Sequence, residues 1–353
     1  MDRRAELLAA IEADPDALEN WLVYADWLSE RGDVRGELIM LELAIEANLA
    51  TDDVLARRRA ILRHDEALMS SQLAEHWHHL DLDYWRGFIR GARVFGPADD
   101  PPPPEVVHAL YADPHACLLH RLSLLSNADL LPHAASERIR ELQLSGAEHI
   151  ELELDAWFPQ LDALELYSEG PPDELAHPRL ARLAVSGDCS ALRSRSFTLP
   201  GLTTLELDGD GDDDMLDLFE PGAILADPPP ALASLTMRPW SRETAARLRD
   251  SRLLPQLRSL TCRIDDEILD AMPPDRFGHL TITATGGVET IAQRDALLAR
   301  CAQLLPRARL EIGTTEEARR DLRGRAAPPP VAANLAHALS QIAERLRRRG
   351  PRS

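Results

Sequence analysis

Three histidines and two aspartates stand within the nine-residue segment "EHWHHLDLD", residues 75–83. Imidazole and carboxylate groups this close together suit zinc or iron, so a metal-dependent enzyme or metalloprotein using the His76–Asp83 region is one hypothesis. The alternative is the end of a helix, where protonated histidines interact favourably with the helix dipole. His78 and His79 would point apart on a helix or on a strand. We favour the helix end, and we expect neither a metal nor another cofactor.

A second candidate is the aspartate run in "PGLTTLELDGDGDDDML", residues 200–216, with five aspartates in seven positions. An EF-hand calcium loop that starts at Asp208 has suitable oxygen ligands at its positions 1, 3 and 5. It then has Asp213 where the loop needs glycine and Phe219 where it needs a bidentate glutamate. A solvent-exposed turn after a strand is therefore the better interpretation.

Several residues and motifs that common enzyme classes require are absent from the sequence, and their absence excludes those classes. All 39 basic residues are arginine, which excludes P-loop nucleotide binding and pyridoxal or Schiff-base enzymes, since these need a lysine. No G-x-S-x-G, H-E-x-x-H or G-x-G-x-x-G motif occurs. Four widely spaced cysteines form no zinc knuckle or redox pair. The sequence favours a protein that is not an enzyme.

The net charge of the chain argues against binding to nucleic acids or to anionic membranes. The chain has 353 residues and a net charge of −20, so it repels polyanions and anionic lipid surfaces. It has no apolar run of 18 residues, and its start, "MDRRAELLAAIEADPDAL", is typical of an amphipathic helix rather than of a signal peptide. We expect a cytoplasmic protein that neither inserts into a membrane nor binds nucleic acid.

The elements that must position functional groups form a repeat. A phrase of leucine, two variable residues, leucine, one variable residue and an apolar residue recurs every 19 to 30 residues. Its second half fits a short strand in which alternate side chains enter a core. The spacing is that of leucine-rich repeats, so residues 105–325 are predicted to form a degenerate leucine-rich-repeat solenoid with a parallel concave sheet. The phrase starts at Leu119, Ile139, Leu161, Leu180, Leu202, Leu232, Leu257 and Phe277, with a strand-only remnant at Arg307.

The same alternation predicts which residues face solvent on the concave sheet. Acidic residues concentrate in its middle, and arginines beside a tryptophan follow, a combination that suits recognition of a protein or peptide. An ordinary solvated sheet is the alternative. The predicted partner-binding residues are Glu165, Tyr167, Glu206, Asp208, Arg238, Trp240 and Arg263. The predicted turn residues, at the position where leucine-rich repeats often carry asparagine, are Asn127, Asp188, Asp210 and Asp265.

A small helical domain is predicted over residues 1–80. The Asp14–Pro15 pair fits the start of a helix that ends at Gly32, and Asp33 fits the cap of the next helix. A further helix is expected at about residues 52–74, where leucine and isoleucine recur at helical spacing.

Residues 7–43 of this domain read "LLAAIEADPDALENWLVYADWLSERGDVRGELIMLEL". The segment resembles the bacterial repeat-companion domain, above all in "YADWLSERGDVRGELI", which fills the family pattern Y-A-D-W-L-x-E-x-G-D-x-R-G-E-x-I. The resemblance implies a short helical module that precedes degenerate leucine-rich repeats and has no defined biochemical activity. Four polar residues in it are predicted to form a buried or half-buried charge network that fixes the helical hairpin. They are Asp26, Arg31, Arg35 and Glu37.

Two further segments complete the predicted organisation. Residues 81–104 are expected to form a strand and a proline-rich connection, and residues 331–349 an amphipathic helix. That helix runs into "RLRRRGPRS". It caps the last repeat, pairs with a partner helix, or binds an anionic surface. Capping is the favoured interpretation.

The sequence thus predicts an α/β protein in which a small helical domain precedes a leucine-rich-repeat-like solenoid. Its predicted function is a non-enzymatic scaffold for protein–protein interaction, with a partner protein or peptide bound on the concave face. A metal-dependent enzyme using the His76–Asp83 region and anionic-surface binding through the arginine-rich C-terminal helix are the alternatives.

Overall fold

The computed structural model shows a mixed α/β chain that divides into two compact units. Unit 1 comprises the described residues of Met1–Ala92 and Glu105–Leu119, and unit 2 those of Arg93–Pro104 and His120–Arg325. The structure describes residues 3–63, 68–96, 102–124, 128–145, 153–168, 174–187, 189, 192, 196–209, 216–220, 223–238, 241–262, 281–284, 296, 299–300 and 309–312. No helix within these ranges is long and apolar enough to cross a membrane.

Unit 1 is built mainly from helices around aromatic side chains. Its helices are α1 (Arg3–Ala13), α2 (Leu18–Glu30), α3 (Val34–Glu46), α4 (Asp52–Leu62), α5 (Ser71–Ala74) and α6 (Glu105–Ala112). Its strands are β1 (Leu80–Trp85) and β2 (Phe88–Val94), which runs on to the start of unit 2. Trp21 and Tyr24 on α2 are fully buried, and the ring of Phe88 lies 5.6 and 5.7 Å from theirs. These aromatic contacts join the hairpin β1–β2 to the helices.

Two helix boundaries differ from the sequence prediction. Helix α2 begins at Leu18, because the Asp14 carboxylate accepts the Ala17 N–H at 3.2 Å and closes a turn before the helix instead of capping it. The helix expected over residues 52–74 is interrupted, since α4 ends at Leu62 and α5 begins at Ser71. The Ser70 hydroxyl caps α5 by accepting the Leu73 N–H at 3.3 Å.

The hairpin of α2 and α3 depends on two glycines and one cap. Asp33 caps α3 as predicted, with its carboxylate accepting the Arg35 N–H at 3.0 Å. Gly32 has φ +74°, a conformation that other residues rarely adopt. A Cβ atom on Gly36 would lie 2.5 Å from the Ser29 hydroxyl and 2.6 Å from the Ala25 carbonyl oxygen. Only glycine therefore lets α2 and α3 approach this closely.

Unit 2 carries a parallel sheet assembled almost strand by strand along the chain. Nine described strands that lie wholly within unit 2 pair in parallel in this sheet: β3 (Arg121–Leu124), β4 (Glu141–Ser145), β5 (Ala163–Ser168), β7 (Arg182–Gly187), β9 (Thr204–Gly209), β10 (Ser234–Arg238), β11 (Ser259–Cys262), β12 (Thr281–Ala284) and β13 (Arg309–Ile312). Two short strands, β6 (Glu174–Ala176) and β8 (Ser196–Thr198), form a second parallel pair. Short helices α7 (Leu154–Trp157) and α8 (Arg242–Asp250) lie in the connections.

In the main parallel sheet the predicted burial of the apolar positions is confirmed from β3 to β11, although the intervening Ser123 and Ala184 are buried as well. Both apolar positions inside every one of these strands are buried, and so is the leading apolar residue before each strand. The leading residues are Leu119, Ile139, Leu161, Leu180, Leu202, Leu232 and Leu257. The first inward row comprises Leu122, Leu142, Leu164, Leu183, Leu205, Leu235 and Leu260, and the second Leu124, Leu144, Leu166, Val185, Leu207, Met237 and Cys262.

Two main-chain arrangements recur at the entrance to the strands. In four copies the N–H of the leading leucine bonds to the carbonyl three residues earlier, across a turn whose second residue is proline, at 2.9 to 3.3 Å. These turns are Phe158–Leu161, Leu199–Leu202, Pro229–Leu232 and Leu254–Leu257. In addition, one carbonyl before a strand accepts two successive N–H groups from the next copy. The acceptors are His120, Arg140, Asp162, Ala181, Thr203 and Ala233.

The register at β12 differs from the one that the sequence predicts. The repeated phrase aligns Leu280 with Leu260, whereas the structure pairs Leu260 with Ile282. The shift is two residues, so it preserves the alternation of faces along the strand.

Replacing an inward leucine tests the buried rows directly. Leu205 lies on β9 and is fully buried, so Leu205→Ala should lower the free energy of unfolding by about 2–5 kcal/mol through lost burial and an unfilled cavity. Urea unfolding followed by circular dichroism measures the change. Thr204→Val, at the neighbouring outward position, is the matched control and should change the free energy of unfolding by less than about 1 kcal/mol. Equal effects of the two substitutions would contradict the assignment of faces.

Candidate binding face of the parallel sheet

The histidine-rich segment of unit 1 forms a tight turn leading into β1. Trp77–His79 is a 3₁₀ turn in which His79 is buried and His78 is exposed. Asp81 and Asp83 are exposed on β1. Throughout the part of the chain that the structure describes, no three histidine, cysteine, aspartate or glutamate side chains come together in a way that could hold a metal ion.

The four polar residues of the helical hairpin do not share one network. The buried guanidinium of Arg35 pairs with Asp33, its Nε lying 2.8 Å from the carboxylate. Glu37 accepts two hydrogen bonds from Arg57 on α4, at 2.6 and 2.8 Å. Arg31 is exposed and lies 4.0 Å above the ring of Trp27, and Asp26 is also exposed. The prediction of a single network was wrong, because Arg35, Glu37 and Arg31 each have a separate partner.

The outward positions of the parallel sheet form three polar rows in register, which we call the polar face. Row 1 comprises Arg121, Glu141, Ala163, Arg182, Thr204, Ser234 and Ser259. Row 2 comprises Ser123, Gln143, Glu165, Ala184, Glu206, Thr236 and Thr261, and row 3 Ser145, Tyr167, Ser186, Asp208 and Arg238.

Five of the seven residues predicted to bind a partner lie on this polar face. They are Glu165, Tyr167, Glu206, Asp208 and Arg238. Trp240 and Arg263 lie outside the described residues, and so do the four predicted turn residues, Asn127, Asp188, Asp210 and Asp265. The helix predicted over residues 331–349 is outside them as well.

Glu165 is the centre of a hydrogen-bonded cluster. Its carboxylate accepts a hydrogen bond from the Gln143 side-chain amide at 2.7 Å and another from the Tyr167 hydroxyl. Gln143 stands directly beside Glu165 on the neighbouring strand, and Tyr167 is two residues along the same strand. Both donors therefore approach from the same face of the sheet and fix the carboxylate. The Tyr167 side chain remains 39% exposed, which makes it an aromatic surface on an otherwise polar face.

The remaining carboxylates of the polar face are matched by arginines on adjacent strands. Arg121 lies 3.8 Å from Glu141, Arg182 lies 3.5 Å from Glu206, and Arg238 lies 3.9 Å from Asp208. All six side chains are between 39% and 57% exposed. Ion pairs this exposed contribute at most about 1 kcal/mol each, so they are readily exchanged for contacts with another molecule.

The electrostatic setting of Tyr167 is unusual for a tyrosine on a surface. Partial burial, the hydrogen bond to Glu165 and the negative charge of Glu165 raise the pKa of Tyr167 to about 12. Arg93 and Arg182 act in the opposite direction on that pKa and are outweighed. The phenol is thus held in its neutral, donating form. A carboxylate, an amide and a phenol arranged in this way suit hydrogen bonding and ion pairing with a ligand.

Sequence reasoning missed Gln143 and Ala184 as parts of this site. Alternation alone placed both on the exposed side, but their importance depends on the register that sets them on either side of Glu165. It also missed Asp113 and His115 in unit 1. Asp113 is buried and accepts the Ser70 N–H at 2.8 Å and the His115 N–H at 2.7 Å, while its carboxylate lies 2.8 Å from His115 Nδ1.

The Tyr167–Glu165 contact can be tested by titration. Glu165→Gln removes the negative charge beside the phenol, so the pKa of Tyr167 should fall by about one unit. Absorbance at 295 nm between pH 9 and 13 measures it, as the difference between each protein and its Tyr167→Phe counterpart. Glu141→Gln, on the same face of the adjacent strand β4, is the control and should leave the titration unchanged. If Glu165→Gln leaves the titration curve of Tyr167 unaltered, the contact between Tyr167 and Glu165 is contradicted.

The contacts of Asp113 in unit 1 can be tested by measuring how the stability of the protein changes at acid pH. Burial alone would raise the pKa of Asp113, but hydrogen bonds from the His115 side chain and from the Ser70 and His115 N–H groups lower it to about 2. Because the pKa of Asp113 is lower in the folded protein than its value of 3.8 in the unfolded chain, ionised Asp113 stabilises the folded protein above pH 3.8. This contribution to the free energy of unfolding is lost as the pH falls towards 2. The contribution of Asp113 to the free energy of unfolding at neutral pH is about 2 kcal/mol.

Asp113→Asn should therefore be destabilised relative to the wild type at pH 6, and the difference in free energy of unfolding should shrink below pH 4. Urea unfolding at several pH values measures it. Asp129→Asn, at an exposed position, is the control. A difference between wild type and Asp113→Asn that stays constant from pH 6 to pH 2 would contradict the role of Asp113.

No protein-family model matches the chain, and no curated protein is significantly similar to it. The resemblance to the repeat-companion domain and to leucine-rich repeats therefore stays a prediction from the sequence.

Proposed function

We propose that this chain is a non-enzymatic interaction scaffold that binds a partner protein or peptide on the polar face of its parallel sheet. One observation carries the proposal. The leucine rows are buried on one side of the sheet, while the three polar rows opposite them stand in register on short strands, with all their side chains except Ser123 and Ala184 at least partly exposed. Strands fix the spacing of their side chains, so this face offers a preorganised set of contacts.

The architecture that we propose for unit 2 is a degenerate leucine-rich-repeat solenoid whose concave side is the polar face. The recurring proline turns and the carbonyls that accept two N–H groups support it, because the same local geometry returns in copies of unequal length. Stacked copies of one supersecondary unit are what such solenoids consist of. Unit 1 is proposed to be a repeat-companion-like module. Its support is the hairpin of α2 and α3, in which the signature residues make the packing contacts.

The composition of the polar face favours a macromolecular partner. Tyr167 is an exposed aromatic group among charged neighbours, the combination from which hot spots in protein interfaces are built. The weak ion pairs of Glu206 and Asp208 can be replaced by pairs with a partner at little cost. A flat arrangement of hydroxyl groups follows on β10 and β11, from Ser234, Thr236, Ser259 and Thr261.

Affinity capture with matched variants tests the proposal. The tagged full-length chain is used to capture proteins from its native cell extract, and the recovered partner is quantified by mass spectrometry. The double variant Tyr167→Ala/Arg238→Glu should recover about tenfold less partner, since it removes the aromatic contact and reverses a charge on the face. Circular dichroism and urea unfolding confirm that the variant is folded.

Trp77→Ala is the control for this experiment, because Trp77 is 65% exposed but lies in unit 1. It should leave recovery unchanged. Recovery that depends on Trp77 and not on Tyr167 and Arg238 would move the binding function to the helical unit and overturn the proposal for the sheet.

A further inference from the structure

Strand β1 lies at one end of the strand order. In the part of the chain that the structure describes, β2 is the one strand that pairs with it, and the tight turn at Arg86 and Gly87 joins the two. A strand at the edge of a sheet presents a row of N–H and C=O groups on the side away from its neighbour, and an added strand can pair with them. With six residues, Leu80–Trp85, β1 has the usual length of a strand and can therefore align a peptide.

The side chains of β1 differ between its two faces. Leu80, Leu82 and Tyr84 are half-buried, and Tyr84 packs against apolar residues of α3 and α4. Asp81 and Asp83 are exposed on the opposite face, about 6.8 Å apart along the strand. A carboxylate can accept several hydrogen bonds, so contacts within the chain leave it able to bind a further donor. An added strand would continue both faces, with apolar side chains beside the leucines and cationic side chains beside the aspartates.

The two carboxylates decide between a second copy of the chain and a different partner. If two copies of β1 paired antiparallel about Leu82, Asp81 of each copy would stand opposite Asp83 of the other copy. In a parallel pair each aspartate would stand beside its own counterpart. Like charges that stand directly opposite one another destabilise a pair of strands, whereas opposite charges stabilise it. The edge therefore disfavours self-association and favours a strand with arginine or lysine at alternate positions.

We infer that β1 is a docking edge for an extended basic segment of another protein, which adds a strand to the β1–β2 hairpin and pairs its cationic side chains with Asp81 and Asp83. Main-chain hydrogen bonds supply the affinity of an added strand, and the side chains at alternate positions supply its specificity. The net charge of −20 draws a basic segment towards the chain before it docks. This edge belongs to unit 1 and is separate from the polar face, so the inference does not rest on the proposed function.

The probe is a short peptide of alternating arginine and valine, blocked at both ends and labelled with a fluorophore. Its binding to the full-length chain is measured by fluorescence anisotropy. A second peptide has the same sequence and charge but carries N-methyl groups on two successive central residues. Because successive N–H groups of a strand point to opposite edges, this change removes donors from both edges. It should weaken binding about tenfold or more.

The double variant Asp81→Asn/Asp83→Asn tests the two carboxylates, because it removes both charges and keeps the size of the side chains. It should weaken binding of the unmethylated peptide about fivefold. Asp26→Asn/Glu30→Gln neutralises two exposed carboxylates on α2 of the same unit and is the matched control. It should leave the affinity nearly unchanged. Circular dichroism and urea unfolding confirm that both variants are folded.

Charged residues at a sheet edge can also serve only to keep other strands away. In that case Asp81→Asn/Asp83→Asn should bind the peptide more tightly or self-associate, and either result would overturn the inference. Equal effects of the two double variants would overturn it too, because they indicate attraction to the general acidity of the chain. An N-methylated peptide that binds as well as its parent would exclude pairing through the main chain.

Hydrogen exchange locates the bound peptide. With saturating peptide, the amide groups of Leu80–Trp85 should exchange about tenfold more slowly, while those of β5, Ala163–Ser168, should be unchanged. Protection of β5 without protection of β1 would place the peptide on the polar face, which contradicts this inference and leaves the proposed function intact. The capture experiment that tests the polar face uses residues of unit 2, so either proposal can fail alone.

Discussion

Burial of three apolar positions in each of the seven described strand phrases, from Leu119 to Cys262, is the constraint on which unit 2 depends. A single short strand cannot cover its own leucines, so neighbouring copies must stack, and each buried leucine then contributes about 1.5–3 kcal/mol. Stacking in register lets the main chain form an unbroken parallel ladder from β3 to β13. Because side chains alternate along a strand, the same constraint places polar residues on the opposite face. The candidate site is therefore a consequence of the core.

This dependence explains how much of unit 2 could be predicted from the sequence. Strands and faces follow from a local period of two, which needs no knowledge of distant contacts. Register does not follow in the same way. Leu280 and Ile282 are both apolar and two residues apart, so either fits the inward row beside Leu260, and the choice depends on packing across the sheet. The cluster of Glu165 with Gln143 depends on register in turn, since the two residues are 22 positions apart in the chain.

Unit 1 shows the same division between local and distant causes. The cap at Asp33 is local and was predicted, whereas Asp14, which has the same residue type and a following proline, closes a turn instead. The contacts that tie the unit together join distant positions. Ser70 donates to Asp113 across 43 residues, and the buried N–H of Arg86 donates to Glu42 across 44. The sequence contains no spacing pattern that predicts such pairs, because they form only when the helices and the hairpin pack together.

The signature segment "YADWLSERGDVRGELI" can be explained by packing. Tyr24, Ala25 and Leu28 are buried in the core of unit 1, Gly32 adopts a left-handed conformation, and Gly36 allows two helices to touch. A residue type at each of these positions is required by the hairpin whatever the protein does. The signature pattern is therefore explained by packing and does not indicate a catalytic or binding site. Functional residues are better sought among the side chains that the fold leaves exposed. On the polar face these are the partly exposed side chains of the three rows, among them Glu165, whose carboxylate accepts hydrogen bonds from Gln143 and Tyr167.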